Sequence, residues 1–118
     1  FEWIPWDSNE ALEDNSKCLS LSMTAVTSSW PLIRYLLDDE SYLAAYKTYV
    51  DDFADTHFNS AVMDPIYETY RTLIQDYVAA EGSSYTFSSS SKFSSAVNEL
   101  KSHASDRYTA ANSYAGID

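Results

Sequence analysis

The sequence predicts a mainly α-helical chain, and three observations carry that prediction. Gly 2 and Pro 3 in 118 residues are too few for the many tight turns of a sandwich or barrel. Apolar residues recur at three- and four-residue steps along three separate stretches. The hydrophobic fraction of 45%, with 15% aromatic, suffices for a core and lies outside the disordered range. The expected architecture is an antiparallel bundle of about three long helices plus a short helix, preceded by an orphan N-terminal β-strand.

The strand is expected over Phe1–Trp6, where aromatic and β-branched residues favour extended backbone and Pro5 marks an end or an edge. A single strand is not stable by itself, so its pairing partners are expected elsewhere. Residues 7–29 come next as a polar connection, with LSLSM at 19–23 as a possible short extended piece. A connection of this length is unusual within a domain and is often functional.

The short helix opens at Trp30-Pro31, where Ser29 can cap and Pro31 suits the first turn. The run PLIRYLLDD is expected to bury Leu32, Ile33, Leu36 and Leu37. The next helix, near 40–57, carries a stripe from Tyr42 through Leu43, Tyr46, Tyr49 and Val50 to Phe53, with His57 at its end. A third is expected near 60–81 with Asn59 as cap, although Asp64-Pro65 either restarts it or kinks it. Beyond the proline, Ile66, Tyr70, Leu73, Ile74, Tyr77 and Val78 hold one face as far as Gly82, a C-terminal stop. GSSYTFSSSS reads as a loop. The last helix, near 90–114, has the stripe Phe93, Val97, Leu100, Ala104, Tyr108 and Ala111 and ends near Gly116.

A net charge of −11 repels phosphate backbones, and the Lys and Arg residues, scattered from Lys17 to Arg107, form no basic stripe. Nucleic-acid binding is therefore not expected. No apolar run approaches the roughly 20 residues that span a bilayer. Cys18 is the lone cysteine, which leaves no intrachain disulfide and no cysteine-based zinc site, so it reads as a packing residue.

Three readings of Asp7 stand side by side. A calcium loop starting at Asp7 and Asn9 fails, because the sixth position is Leu12 rather than Gly and the twelfth is Cys18 rather than Glu. In the second reading Asp7 caps the turn after the strand, a common place for Asp. In the third it is a magnesium ligand: a strand-end carboxylate points into a crevice where nucleotides bind, and Mg²⁺ takes one or two carboxylates with waters and phosphates. His57 and His103 lie on apolar stripes without carboxylates at ligand spacing and read as core or boundary residues. The serines at 88–91 read as caps and loop. Tyr42, Tyr46, Tyr49, Tyr67, Tyr70 and Tyr77 read as core or rim, and any exposed ones could form a binding face.

FEWIPWDSNEAL, then WPLIRYLLDDESYLAAYKTYVDDFADTHFN and YTF before a final helix, resembles the C-terminal part of the CotH family of spore-coat-protein-H-like atypical kinases. The most specific pieces are IPWD at residues 4–7 and PLIRYLLDDESY at 31–42; the later helices match in pattern. The resemblance implies that Asp7 holds Mg²⁺ against the phosphates of ATP, as the kinase Asp-Phe-Gly segment does. Asn9 departs from the family, where a second Asp is common; it keeps an oxygen ligand, a weaker one, without the charge. By the same resemblance, residues 1–29 are a strand and connection from the end of a kinase-like lobe, and 30–118 a C-terminal helical bundle. The nucleotide-binding lysine and catalytic-loop Asp would lie upstream of Phe1, which would explain the orphan strand.

The resemblance also implies a parent enzyme that transfers the ATP γ-phosphoryl group to protein Ser or Thr, with Mg²⁺ and ATP as cofactors. Its partners would be a protein substrate and the upstream kinase-like lobe. The chain alone is expected to be inactive and to need no cofactor. The family places such proteins in spore coats, in secretions or at the cell surface. Two other readings remain: a non-enzymatic surface adhesion or scaffolding module, and a free-standing helical bundle.

Overall fold

Capping chemistry and proline placement divide the chain into its helices. The structure, a computed structural model, describes residues 20–81 and 90–116. Among these residues it contains four helices: α1 (Pro31–Asp38), α2 (Glu40–His57), α3 (Ser60–Ala80) and α4 (Ser90–Ala115). The expected helix positions agree with these bounds to within a residue or so at each end. The expected N-terminal strand, Cys18, Gly82 and the serine loop up to residue 89 lie outside the described residues, while Ser90 and Ser91, expected as caps and loop, open α4.

Residues 20–29 are a succession of turns, not the extended piece expected of LSLSM. Backbone amides of Met23, Val26 and Trp30 each donate to the carbonyl three residues earlier, at 2.9–3.0 Å. Met23 adopts a left-handed φ of 53°, which a side chain with a Cβ rarely tolerates. Two long side chains hold this segment onto the helices. Arg34 donates to the carbonyls of Met23 and Val26, both at 3.3 Å, and its Nε also pairs with Asp38 at 2.9 Å. Tyr46 Oη donates to the Leu21 carbonyl at 3.1 Å.

Pro31 occupies the first turn of α1 as expected, but Ser29 does not cap it; Trp30 takes that position without a side-chain bond. Asp39 ends α1 and caps α2, its carboxylate accepting from the amides of Ser41 at 2.9 Å and Tyr42 at 3.2 Å. Asn59 serves two helices at once. Its Oδ1 accepts from Val62 N at 3.2 Å to cap α3, while its Nδ2 donates to the Asp55 carbonyl at 2.7 Å, closing the end of α2. With that cap in place α3 needs no second start. It runs unbroken through Pro65, and Asp64 is not a cap.

Pairs between α2 and α4 fix their sense. Tyr46 meets Tyr114 edge-on, with ring centroids 6.0 Å apart, Tyr108 Oη donates to Asp55 at 2.9 Å, and Phe58 meets the His103 ring at 6.5 Å. Numbers rise along α2 as they fall along α4, so the two are antiparallel. Both α2 and α3 pack chiefly against α4, touching each other little although only Phe58 and Asn59 separate them.

The packed seam consists of small side chains. Among the described residues the buried apolar ones are Val26, Ala54, Val97, Ala104, Ala111 and Ala115, and Ala104 has 0% exposure. Val97, Ala104 and Ala111 recur every seven residues on α4, as the expected stripe requires. No large side chain is fully buried among the described residues.

The larger apolar residues mostly face outward, against expectation. Leu32 is 72% exposed, and Ile33 and Leu36 are exposed with it, leaving Leu37 half-buried. On α2, Leu43, Tyr46 and Val50 turn inward while Tyr42, Tyr49, Phe53 and His57 do not. On α3 the reversal is most complete. Its half-buried face is Asp64, Tyr67, Glu68, Arg71, Gln75 and Val78, whereas Ile66, Tyr70, Leu73, Ile74 and Tyr77 are exposed. The polar face is held by Glu68, whose carboxylate accepts from Lys101 of α4 and from Arg71 Nε at 2.6 Å.

Ala104→Leu should destabilise the fold by about 1–3 kcal/mol, because a larger side chain at a fully enclosed helix contact forces the helices apart. Urea unfolding checks this, and an unchanged midpoint would show that α4 has room there. A second prediction concerns acid. Hydrogen bonds from Lys101 and then Arg71 hold the Glu68 carboxyl below its ordinary 4.5. A depressed folded-state pKa stabilises above the unfolded value and ceases to do so as pH falls through the folded one. Wild type should therefore exceed Glu68→Gln in stability at neutral pH, and the gap should close below about 4.5. A gap that persists in strong acid would show that the carboxylate charge is irrelevant.

Candidate functional site

Asp7 and Asn9, the residues expected to hold a metal, lie outside the described residues. What the described residues do assemble is a pair of adjoining apolar grooves. The larger, about 450 Å³, lies between α2 and α4 and is lined by Tyr46, Tyr49, Phe53 and Phe58 from one side and by His103 and Arg107 from the other. The second, about 330 Å³, lies between α1 and α2 against Ile33, Leu36, Leu37 and Tyr42, and shares Tyr46 and Tyr49 with the first. Leu21 reaches the larger groove and Met23 the smaller, so the segment tied down by Arg34 and Tyr46 forms part of the wall.

Local sequence explains the wall. Tyr42, Tyr46, Tyr49 and Phe53 follow helical spacing, which places their rings along one side of α2. Phe53 lies nearly parallel to Phe58, with centroids 6.1 Å apart, and 5.8 Å from the exposed ring of His57. Lys47 places its ammonium 5.3 Å over the Tyr114 ring. Burial first, and then the neighbouring Tyr114, raise the Tyr46 pKa, so its hydroxyl remains a donor to the Leu21 carbonyl.

Elsewhere among the described residues, three polar atoms are shielded without a hydrogen-bond partner: Asp64 Oδ1, Tyr67 Oη and Asn112 Oδ1. Burial, and secondarily the charge of Asp64, raise the Tyr67 pKa and keep the phenol protonated. Among the described residues no group of three His, Cys, Asp or Glu is placed to hold a metal ion, and no helix is long and apolar enough to cross a membrane. His57 is a surface residue and His103 a half-buried one against the groove. An aromatic groove with a guanidinium on its rim is equipped to bind apolar surface that carries an acidic group.

Of the tyrosines, Tyr42, Tyr49, Tyr70 and Tyr77 are exposed while Tyr46 and Tyr67 are half-buried. Helical spacing places these rings on faces but does not say which face meets α4. Nothing in the sequence singles out Arg107, where it is one of several scattered cations.

No curated protein and no solved structure matches the chain. The family model described as CotH kinase protein does match, over residues 1–111, which includes the IPWD and PLIRYLLDDESY stretches as well as all of α1, α2 and α3. On that match, the chain belongs to the CotH kinase protein family.

Proposed function

We propose that this chain is the C-terminal helical segment of a protein kinase that transfers the ATP γ-phosphoryl group to a Ser or Thr hydroxyl of a protein. The single observation that supports the reading is the family match over residues 1–111, with Ile-Pro-Trp-Asp at 4–7 inside it. The donor set suits the metal: the Asp7 carboxylate and Asn9 amide are hard oxygen ligands of the kind Mg²⁺ prefers. Bound there, Mg²⁺ would neutralise phosphate charge and orient the γ-phosphoryl group. Asp7 would supply the charged contact and Asn9 a weaker, neutral one. By itself the chain would be inactive, since positioning and electrostatic stabilisation provide most of the catalysis and need groups from an upstream lobe.

The exposed apolar face of α1 fits a role as a buttress, with an antiparallel bundle completed only when another part of the protein covers it. The exposed aromatic residues of α2 are the observation that favours the alternative, a surface adhesion or scaffolding module.

The test is substitution at Asp7 and Asn9 in the intact parent. Asp7→Asn removes charge with little change of shape, so the fold should persist while kcat drops by about a hundredfold or more. Asn9→Asp should tighten Mg²⁺-dependent nucleotide binding in calorimetry. If Asp7 only caps a turn, Asp7→Asn should be almost silent, because Asn caps nearly as well. Equal nucleotide binding and equal activity in all three proteins would sink the metal assignment.

A further inference from the structure

The described cations are Arg34, Lys47, Arg71, Lys92, Lys101 and Arg107. Arg34 pairs with Asp38, Lys47 sits over Tyr114, Arg71 and Lys101 share Glu68, and Lys92 is also engaged. Arg107 alone among them has no such contact. It is exposed on the rim of the aromatic groove between α2 and α4. In a chain with 18 Asp and Glu residues, a guanidinium left free at that position is suited to a carboxylate that arrives together with apolar surface.

The same chain carries such a surface. Ile66, Tyr70, Leu73, Ile74 and Tyr77 form one exposed stripe on α3, because the opposite, polar face is committed to α4 through Glu68 and Lys101. Asp76 flanks that stripe, three residues after Leu73; it is exposed and has no partner among the described residues. An amphipathic helix with an acidic flank and a groove with a basic rim are complementary in shape class and charge.

We propose that two copies of this protein associate by laying α3 of each into the α2–α4 groove of the other, with Asp76 facing Arg107. Reciprocity matters. A pair related by a two-fold axis fills both grooves and closes, whereas a one-way contact would leave one groove and one stripe open and propagate into a filament. The net charge of −11 on each copy disfavours unspecific encounters, so association depends on this contact.

Sedimentation equilibrium of the intact protein tests the proposal, using wild type, Arg107→Asp, Asp76→Arg, the double charge swap and Leu73→Ser. Leu73 is 63% exposed, so its replacement should leave the fold intact, and circular dichroism verifies this for every variant. Wild type should form a discrete dimer. Each single substitution should weaken it by about tenfold or more, and the double swap should restore most of the loss. A monomeric wild type, an open-ended polymer, or a double swap no tighter than the single variants would overturn the proposal.

Discussion

Contacts among the three long helices depend on how closely α4 can be approached. The residues that α4 buries most deeply are no larger than valine, with Ala104 fully enclosed, and the buried residue of α2 is Ala54. Small residues let helix axes come near the short end of the usual 8–10 Å range, where backbone and Cβ atoms make the contact. Little apolar area is removed from water this way, at roughly 25 cal/mol per Å², so the seam defines geometry more than it supplies stability. The larger rings and leucines are left to whatever covers them from outside.

α3 shows how such a seam selects orientation. A helix with a strong apolar stripe normally turns that stripe inward. Here Glu68 accepts hydrogen bonds from both Arg71 and Lys101, and those bonds rotate the polar side of α3 toward α4. Exposed ion pairs contribute little each. Two cations sharing one carboxylate at a half-buried contact nonetheless favour one rotation, and the tyrosine and leucine face is then directed outward. The shielded hydroxyl of Tyr67 and carboxylate oxygen of Asp64 are costs on the same face, of roughly 1–3 kcal/mol for each unpaired polar group.

Helix positions were legible in the sequence because their signals are local. Asn59 followed by an apolar period, Pro31 at a first turn and Gly116 at a stop are each read within a few residues, and the structure gives Gly116 a φ of 66°. Direction was not legible. Periodicity shows that Ile66, Tyr70 and Leu73 share a face, but not whether that face meets a neighbour or water. Alanines weigh lightly in any hydrophobicity reading, yet Ala104 and Ala111 make the contact. The candidate site divides the same way. Asp7 stands out through its motif, while Arg107 becomes conspicuous only once the partners of the other described cations are known.

The bond from Tyr46 to the Leu21 carbonyl also acts as a mooring. It joins residues 25 apart in sequence, so the segment that enters the bundle becomes part of the groove wall before the chain turns into α1. Tyr46→Phe would leave the two carbonyl bonds from Arg34 as the side-chain hold on that segment among the described residues.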